Sequence, residues 1–510
     1  MATANRVIKN TIYLYIKMGI SIIISLYTTR VILQSLGTTD FGIFNIVGGA
    51  IALLGFLNGA MAGATQRFIS YSEGEGNKIK QRIIFNVSII LHFFIAILIG
   101  LLLLIAGYIF FNHVLNIPPD RIDAAKIIYG SLIISTVFTV MSVPYDALLN
   151  AHENMLYYAL VGILESLLKL TTAIIIIYTK SDKLITYGIL MACIPLFSLI
   201  IMRIYCHKHY DECIISPRRY WSKSMMKEIA SFAGWNLLTS SSGILSQYGL
   251  GIIINSYFGV LLNAAQGIAN QISGVLMTFS QNAQKAINPI IVKSEGAGEK
   301  NKFIYTSLLG CRISYFLFGF FSIPFILKMP LILRLWLNQI PAWAIIFCQL
   351  QLLRILTEQL TISLGAAINA HGTIKKYNIC RSALYILPIF LVPFSFEIGA
   401  PPYWLYIIWI LCWSILGGMV SIFFSKKMVD ISFTIYTKQV LFPCFIVTVL
   451  SLLFYFGVST ILNQTLFHQI ISIILESACY FILSWYLIFQ QNERITITKM
   501  IKNIIFKHNE

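Results

Sequence analysis

Long apolar runs dominate the chain, and several stay uncharged for more than the ~18 residues that a helix needs to cross a bilayer. Ile83 to Phe111 and Gln439 to Leu462 are two of them. Read by hydropathy, the sequence predicts fourteen helical spans, centred near residues 21, 55, 97, 137, 168, 195, 242, 275, 316, 356, 387, 414, 450 and 478. The ten-residue alternation of a membrane β-barrel is absent, so the expected fold class is an all-α polytopic membrane protein.

Polar positions inside the spans fall on stripes. In the first span Asn10, Lys17, Ser21, Ser25 and Thr28 share one helical face, and in the seventh Asn236, Ser240, Gly243 and Gln247 do the same. The eighth carries Asn263, Gly267, Asn270, Gly274, Thr278, Gln281, Lys285 and Asn288 down one side. Such faces cannot all meet lipid, so these helices are expected to line a shared interior. Prolines at 144, 195, 289, 324, 388 and 393 fall within spans, where they free backbone carbonyls and permit kinks.

The pattern repeats. Gly37 and Gly259 are 222 residues apart, and so are Ser72 and Ser294, which open Ser72-Glu73-Gly74-Glu75-Gly76 and Ser294-Glu295-Gly296-Ala297-Gly298. Further on, Leu115-Asn116-Ile117-Pro118 answers Leu337-Asn338-Gln339-Ile340-Pro341, and Asn150-Ala151-His152 with Tyr158 answers Asn369-Ala370-His371 with Tyr377. Landmarks in one order at nearly one spacing indicate a duplicated unit of roughly 220 residues. Six helices separate equivalent landmarks, so the two six-helix repeats are expected to be parallel, with two further helices at the C-terminus. The expected organisation is an N-lobe over 1–207 (helices 1–6), a linker over 208–228, a C-lobe over 229–428 (helices 7–12), and 429–510 with helices 13 and 14 and a basic tail.

Charge supports this layout. The chain has 510 residues, only 11% of them charged, and a net charge of +17; its mean hydropathy is +0.78. Most lysines and arginines, such as Lys78, Lys80 and Arg82, Lys208 to Lys227, and Lys499, Lys502 and Lys507, fall where an inside N-terminus places cytoplasmic segments. Few fall outside: Arg121, Lys126, Lys180, Lys183, Lys328 and Arg334. The bias predicts both termini on the cytoplasmic side of the cell membrane. It also accounts for the basic balance without a nucleic-acid partner. The nine cysteines are scattered and form neither a disulfide framework nor a metal spacing.

Charges within spans are the candidates for chemistry, since each costs about 2.5–3.5 kcal/mol at mid-bilayer even on a lenient scale. Lys17, Lys169, Arg312 and Arg354 sit near mid-span, Lys285 lies in the inner third and Arg30 near the outer end. Glu165, Glu358 and Glu476 are their acidic company, which leaves an excess of positive charge. One reading is an electropositive cavity for an anionic solute such as a diphosphate; the other is salt bridging between helices. Glu165 with Lys169 and Arg354 with Glu358 have the i,i+4 spacing of mutually neutralising pairs. His152 and His371 occupy equivalent helix ends, where a structural role is expected of both. No phosphate-cradling Gly-Lys-Ser/Thr loop, His-Glu-x-x-His or Gly-x-Ser-x-Gly appears, so transport by alternating access is expected in place of catalysis.

The run Asn5 to Asn77 carries Thr29-Arg30-Val31-Ile32-Leu33, Gly37-Thr38-Thr39-Asp40-Phe41-Gly42-Ile43-Phe44-Asn45 and Gln66-Arg67-Phe68 before Ser72-Glu73-Gly74. With the segment around Trp336, it resembles the Wzx-type polysaccharide flippases of the MOP (multidrug, oligosaccharidyl-lipid, polysaccharide) exporter superfamily. The resemblance implies a V-shaped, MATE-like bundle that moves an undecaprenyl-diphosphate-linked oligosaccharide between leaflets for O-antigen, capsule or exopolysaccharide assembly, beside other membrane proteins of that assembly. Its cationic cavity would correspond to Lys17, Lys285, Arg354, Arg312 and Arg30, with Asn10, Ser21, Ser25, Asn236, Gln247, Asn270 and Gln281 lining it. No cofactor is implied; proton or monovalent-cation coupling would involve Glu165, Lys169, Glu358 or Glu476. Two alternatives remain. A MATE-like drug or cation antiporter would favour an acidic cavity. A membrane glycan polymerase or glycosyltransferase would want a long outer loop.

Overall fold

Eleven helices are long and apolar enough to cross a membrane in the computed structural model, which describes residues 2–52, 55–114, 118–337, 339–461, 465–495 and 498. A twelfth span is a bent pair, Ala344–Gln359 and Ile362–His371, turned by 42°. The expected spans near residues 55 and 275 are helices too, Gly55–Gly74 and Val260–Gly296, but fall outside the apolar set. These two are repeat equivalents, and in the second the polar stripe lowers the hydropathy. The landmarks Leu115 to Ile117 and Asn338, and Lys499, Lys502 and Lys507 of the basic tail, lie outside the described residues. The described chain is all-helical, without strands.

In chain order the helices are α1 (Ala2–Ala52), α2 (Gly55–Gly74), α3 (Lys78–Ile109), α4 (Ile122–Ala151), α5 (Met155–Tyr178), α6 (Lys183–His209), α7 (Lys223–Phe258), α8 (Val260–Gly296) and α9 (Lys300–Leu327). There follow α10 (Met329–Trp336), α11 (Ala344–Gln359), α12 (Ile362–His371), α13 (Lys375–Glu397), α14 (Trp404–Trp409), α15 (Gly417–Val429), α16 (Phe433–Tyr436), α17 (Phe442–Ile461) and α18 (Leu466–Leu487). Every proline expected within a span lies inside a helix.

The chain forms two compact units, Ile12–Leu237 and Leu238–Glu510 together with Met1–Thr11. In the first, Ile99 and Leu103 of α3 belong to a buried cluster with Ala125, Ile128 and Tyr129 of α4 and Leu184 of α6. The Tyr129 hydroxyl donates to the Leu103 carbonyl at 2.6 Å. In the second, α8, α9 and α11 pack on one another, and α17 and α18 pair as a hairpin against α9.

The duplication is written into the backbone. α1 is broken at Gly37 with φ 79°, and Gly259 stands before α8 with φ 80°. Side chains rarely tolerate this region, so glycine recurs at both breaks. At the end of α2 the Asn77 amide donates to the Ser72 carbonyl at 3.2 Å, and at the end of α8 the Glu299 amide donates to Ser294 at 2.9 Å, with Gly76 and Gly298 both at φ 68°. This is the left-handed helix stop that the Ser-Glu-Gly motifs encode. Ion pairs recur as well: Lys78 meets Asp211 at 3.0 Å and Lys300 meets Asp430 at 2.6 Å. Both are exposed and add little stability, but they mark the same place in each copy.

The paired histidines close the same ends. His371 Nδ1 lies 3.0 Å from Glu295 and His152 Nδ1 3.2 Å from Glu73, while His152 Nε2 also binds Glu212. The His152 ring stacks on Tyr210 with centroids 4.1 Å apart. Burial disfavours the imidazolium, but hydrogen bonds and charge from Glu212 and Glu73 outweigh it, and the His152 pKa is pushed up to about 9. A raised value means that this stabilisation is complete below about pH 6.5 and is lost as pH rises through about 9. Purified protein is therefore expected to lose about 2 kcal/mol, or roughly 5 °C in unfolding midpoint, between neutral and strongly alkaline pH. His152→Gln should flatten that difference; an unchanged pH profile in the variant would show that the bridge contributes nothing.

Candidate functional site

The unit Ile12–Leu237 encloses a pocket of about 380 Å³. Its wall on α4 is Ser135, Thr139, Ser142 and Asp146, residues three and four apart and so on one helical face. From α5 come Tyr158, Glu165 and Lys169, from α1 Lys17, and from α6 Pro195 and Ser198. Lys17 is held by shape: its Nζ lies 4.2 Å from the centre of the Tyr158 ring, and its alkyl stem crosses Gly162, where any side chain would collide with it. Ser166 donates to Ser21 at 2.9 Å and ties α5 to α1 beside it.

Among the described residues Lys17 and Lys169 make no ion pair, and Glu165 and Lys169 do not neutralise each other despite their spacing; all three face the pocket. Asp146 was absent from the interior acids counted by sequence. With it the pocket carries two ammonium groups and two carboxyl groups, and its charge is mixed, not predominantly positive. The stripe Ser135, Thr139, Ser142, Asp146 was the signal that locates it. Arg30 and Ser25 of the first span are exposed and Asn10 is buried with an unpartnered amide nitrogen, and none of the three lines this pocket.

In the other unit, Arg354 of α11 is 6% exposed. Its Nη1 lies 2.5 Å from the Glu358 carboxylate, and its Nε donates to Gln351 at 3.1 Å. Gln351 in turn donates to Asn270 at 3.3 Å, so the α8 stripe reaches the arginine through one amide. The guanidinium stands 4.4 Å from the Trp409 ring centre and 5.3 Å from that of Trp413. Trp413 lies in a π-helical turn, Ile410–Leu416, between α14 and α15, a wide turn of a kind common at functional sites.

Arg381 of α13 completes this cluster. Its Nη1 donates to the Trp413 carbonyl at 3.3 Å and its Nη2 to the Tyr385 hydroxyl at 2.5 Å. The Tyr385 and Trp413 rings lie 4.2 Å apart, with Gly243 of α7 against both. Arg381 follows Lys375 and Lys376 near the start of α13, yet its side chain reaches the tryptophans. Arg354 pairs with Glu358, whose charge also acts on Arg381.

The remaining expected residues are dispersed. Arg312 is 1% exposed and forms a bidentate pair with Glu493, at 3.0 and 2.7 Å, while also donating to the Ile488 carbonyl. Its charge is answered by a carboxylate beyond the end of α18, which removes it from the surplus of interior cations. Lys285 and Asn236 are half-buried, and Gln247 and Gln281 are exposed. Glu476 of α18 is 2% exposed, and neither carboxyl oxygen has a partner.

No family model matches the chain, and no curated protein matches it. Solved structures do. An outward-facing multidrug resistance MATE family transporter of the MOP superfamily superposes with a TM-score of 0.73 at 13% identity, covering 84% of this chain and 96% of that one. A MATE in its bent conformation gives 0.73 at 15%, covering 83% and 95%. A MOP superfamily transporter from Pyrococcus furiosus, whose binding pocket of reverse polarity suggests a different function, gives 0.70 at 15%, covering 84% and 96%. The chain therefore has the MATE-like fold expected from the sequence.

Proposed function

We propose that this chain, with the fold of MATE transporters, is a flippase that carries a polyprenyl-diphosphate-linked oligosaccharide across the cytoplasmic membrane by alternating access. The observation that carries the reading is the pocket of the first unit, where Lys17 and Lys169 face a space lined by hydroxyls without being ion-paired. Hydroxyl groups, an aromatic face and mixed charge suit an anionic, hydroxyl-rich solute better than a greasy cation. The arginines of the second unit, set against tryptophan rings, supply fork-shaped donors of the kind that suit phosphate oxygens. The polyprenyl chain would remain in lipid throughout. The substrate would serve the assembly of O-antigen, capsule or exopolysaccharide, as the sequence resemblance implies.

A flipping assay in proteoliposomes tests this. Lys17→Ala is expected to lower the rate about tenfold or more, since a lost charge-assisted hydrogen bond costs about 1.5–3 kcal/mol, while the protein stays folded and inserted. Lys17→Arg should retain part of the rate. Lys285→Ala is expected to act in the same direction from the α8 stripe. Wild-type rates in all three would return these lysines to a packing role. One observation favours a second reading, a drug or cation antiporter: Asp146 and Glu165 give the same pocket two acids. Uptake of a cationic dye by the same vesicles, blocked by Asp146→Asn and indifferent to lipid-linked sugar, would select it.

A further inference from the structure

α18 buries four residues, and all four are polar: Ser472, Glu476, Tyr480 and Ser484. They recur every fourth position, a single stripe down the helix. Tyr480 donates to the Tyr315 carbonyl at 3.3 Å and packs against Gly319, and Arg312 donates to the Ile488 carbonyl, so α18 runs antiparallel to α9. One turn further in that register, Glu476 reaches the level of Ser322 on α9. The Tyr315 hydroxyl bonds Thr448, which by the same register brings the stretch from Ser451 to Tyr455 of α17 to this level.

The Ser322, Ser451 and Ser472 hydroxyls and both oxygens of Glu476 are buried without a hydrogen-bond partner. Among the described residues no cation pairs with the carboxyl; His468, two turns before it on α18, bonds the Thr465 hydroxyl instead. Of the ionisable groups on the packed elements, Arg312 is taken by Glu493 and by Ile488, a residue twelve positions past Glu476 and so about 18 Å along the helix. Lys328 stands over the Tyr455 ring at 5.1 Å, and the Tyr315 and Tyr480 hydroxyls are engaged as described. Cys444 and Cys479 are free thiols and add no positive charge. A buried polar side chain kept for packing alone is normally satisfied, and an unanswered carboxylate at this depth is costly. Glu165 and Glu358 differ from Glu476: one opens on the pocket and the other holds Arg354.

We infer that Glu476 is a proton-binding site, set between α9, α17 and α18 and served by the hydroxyl stripe Ser472, Tyr480 and Ser484. The carboxylate takes one proton from the medium to become the neutral acid and gives it back to the medium as pH rises. Using this proton to drive translocation rests on the transport reading; the binding of the proton does not.

The test therefore uses the full chain in lipid nanodiscs with no lipid-linked sugar present. An infrared pH titration is expected to show the carbonyl stretch of a protonated carboxyl that disappears in Glu476→Gln and returns, displaced, in Glu476→Asp. On the unaltered protein, a hydrophobic carbodiimide, which reacts with protonated buried carboxyls, should label Glu476 in peptide mass spectra, with yield falling as pH rises. A titrating band that survives in Glu476→Gln, or an unlabelled Glu476, overturns the proposal. So does protection of Glu476 by sodium ions at constant pH, which would make this a metal-cation site. The labelling decides the matter even where a variant does not fold, and a failed flipping assay leaves both readouts intact.

Discussion

Glu493→Ala is expected to cost the second unit about 3–5 kcal/mol and to lower its unfolding midpoint by more than any surface substitution would. The Glu493 carboxylate accepts from both Arg312 amino groups, from the Tyr305 hydroxyl at 2.9 Å and from the Gln490 amide at 2.8 Å, and is 3% exposed. Removing it strands a guanidinium that has no water to turn to. Arg312→Ala should be similarly severe, since it strands the carboxylate. Replacing both at once, with Arg312→Met and Glu493→Leu, is expected to recover most of the loss, because the desolvation cost of the pair disappears with it. Thermal unfolding of the purified protein and its three variants provides the cycle. Additive losses in the double variant would mean that the two side chains act independently, and that the pair is not what holds the segment after α18 to α9.

Hydropathy alone located the helices, because a bilayer leaves the backbone no alternative to internal hydrogen bonds. It also placed spans near residues 55 and 275, where α2 and α8 are helices outside the apolar set, and α8 carries the polar stripe that reaches Arg354 through Asn270. The duplication was legible in Gly37 and Gly259 and in the Ser-Glu-Gly motifs because both mark backbone that only glycine adopts with ease. The partners of charges were less legible. Spacing along one helix correctly joined Arg354 to Glu358, which lie four apart, and failed for Glu165 and Lys169, which have the same spacing but turn to a cavity. Hydropathy assigns a depth and no direction, so it shows neither that Arg381 reaches Trp413 nor that Asp146 faces the pocket, and it cannot join Arg312 to Glu493 across 181 positions. The histidines were read from their duplication as structural, and each meets a glutamate that is itself a repeat equivalent, Glu73 and Glu295.

Glu358→Gln and Arg354→Ala are expected to act on anion binding with opposite signs, and by the largest factors of any substitutions in the arginine cluster. Arg354 is now shared: Glu358 takes its Nη1, Gln351 its Nε, and the Trp409 and Trp413 faces cover the plane. If the cluster receives phosphate oxygens, the carboxylate competes with the ligand. Neutralising it removes both the competitor and a like charge, and inorganic diphosphate should bind about tenfold more tightly, since each 1.4 kcal/mol is tenfold. Arg354→Ala should abolish that binding, and Arg354→Lys should restore little, because an ammonium carries the charge but neither the planar fork nor the stacking on tryptophan. Quenching of Trp409 and Trp413 fluorescence by diphosphate reports occupancy directly, with Arg381→Lys as a second probe of the same wall. A purely structural ion pair gives the reverse result for Glu358→Gln: a buried guanidinium without its carboxylate, a less stable unit and no gain in affinity. That outcome would leave the pocket holding Lys17 and Lys169 as the place where an anionic solute is met.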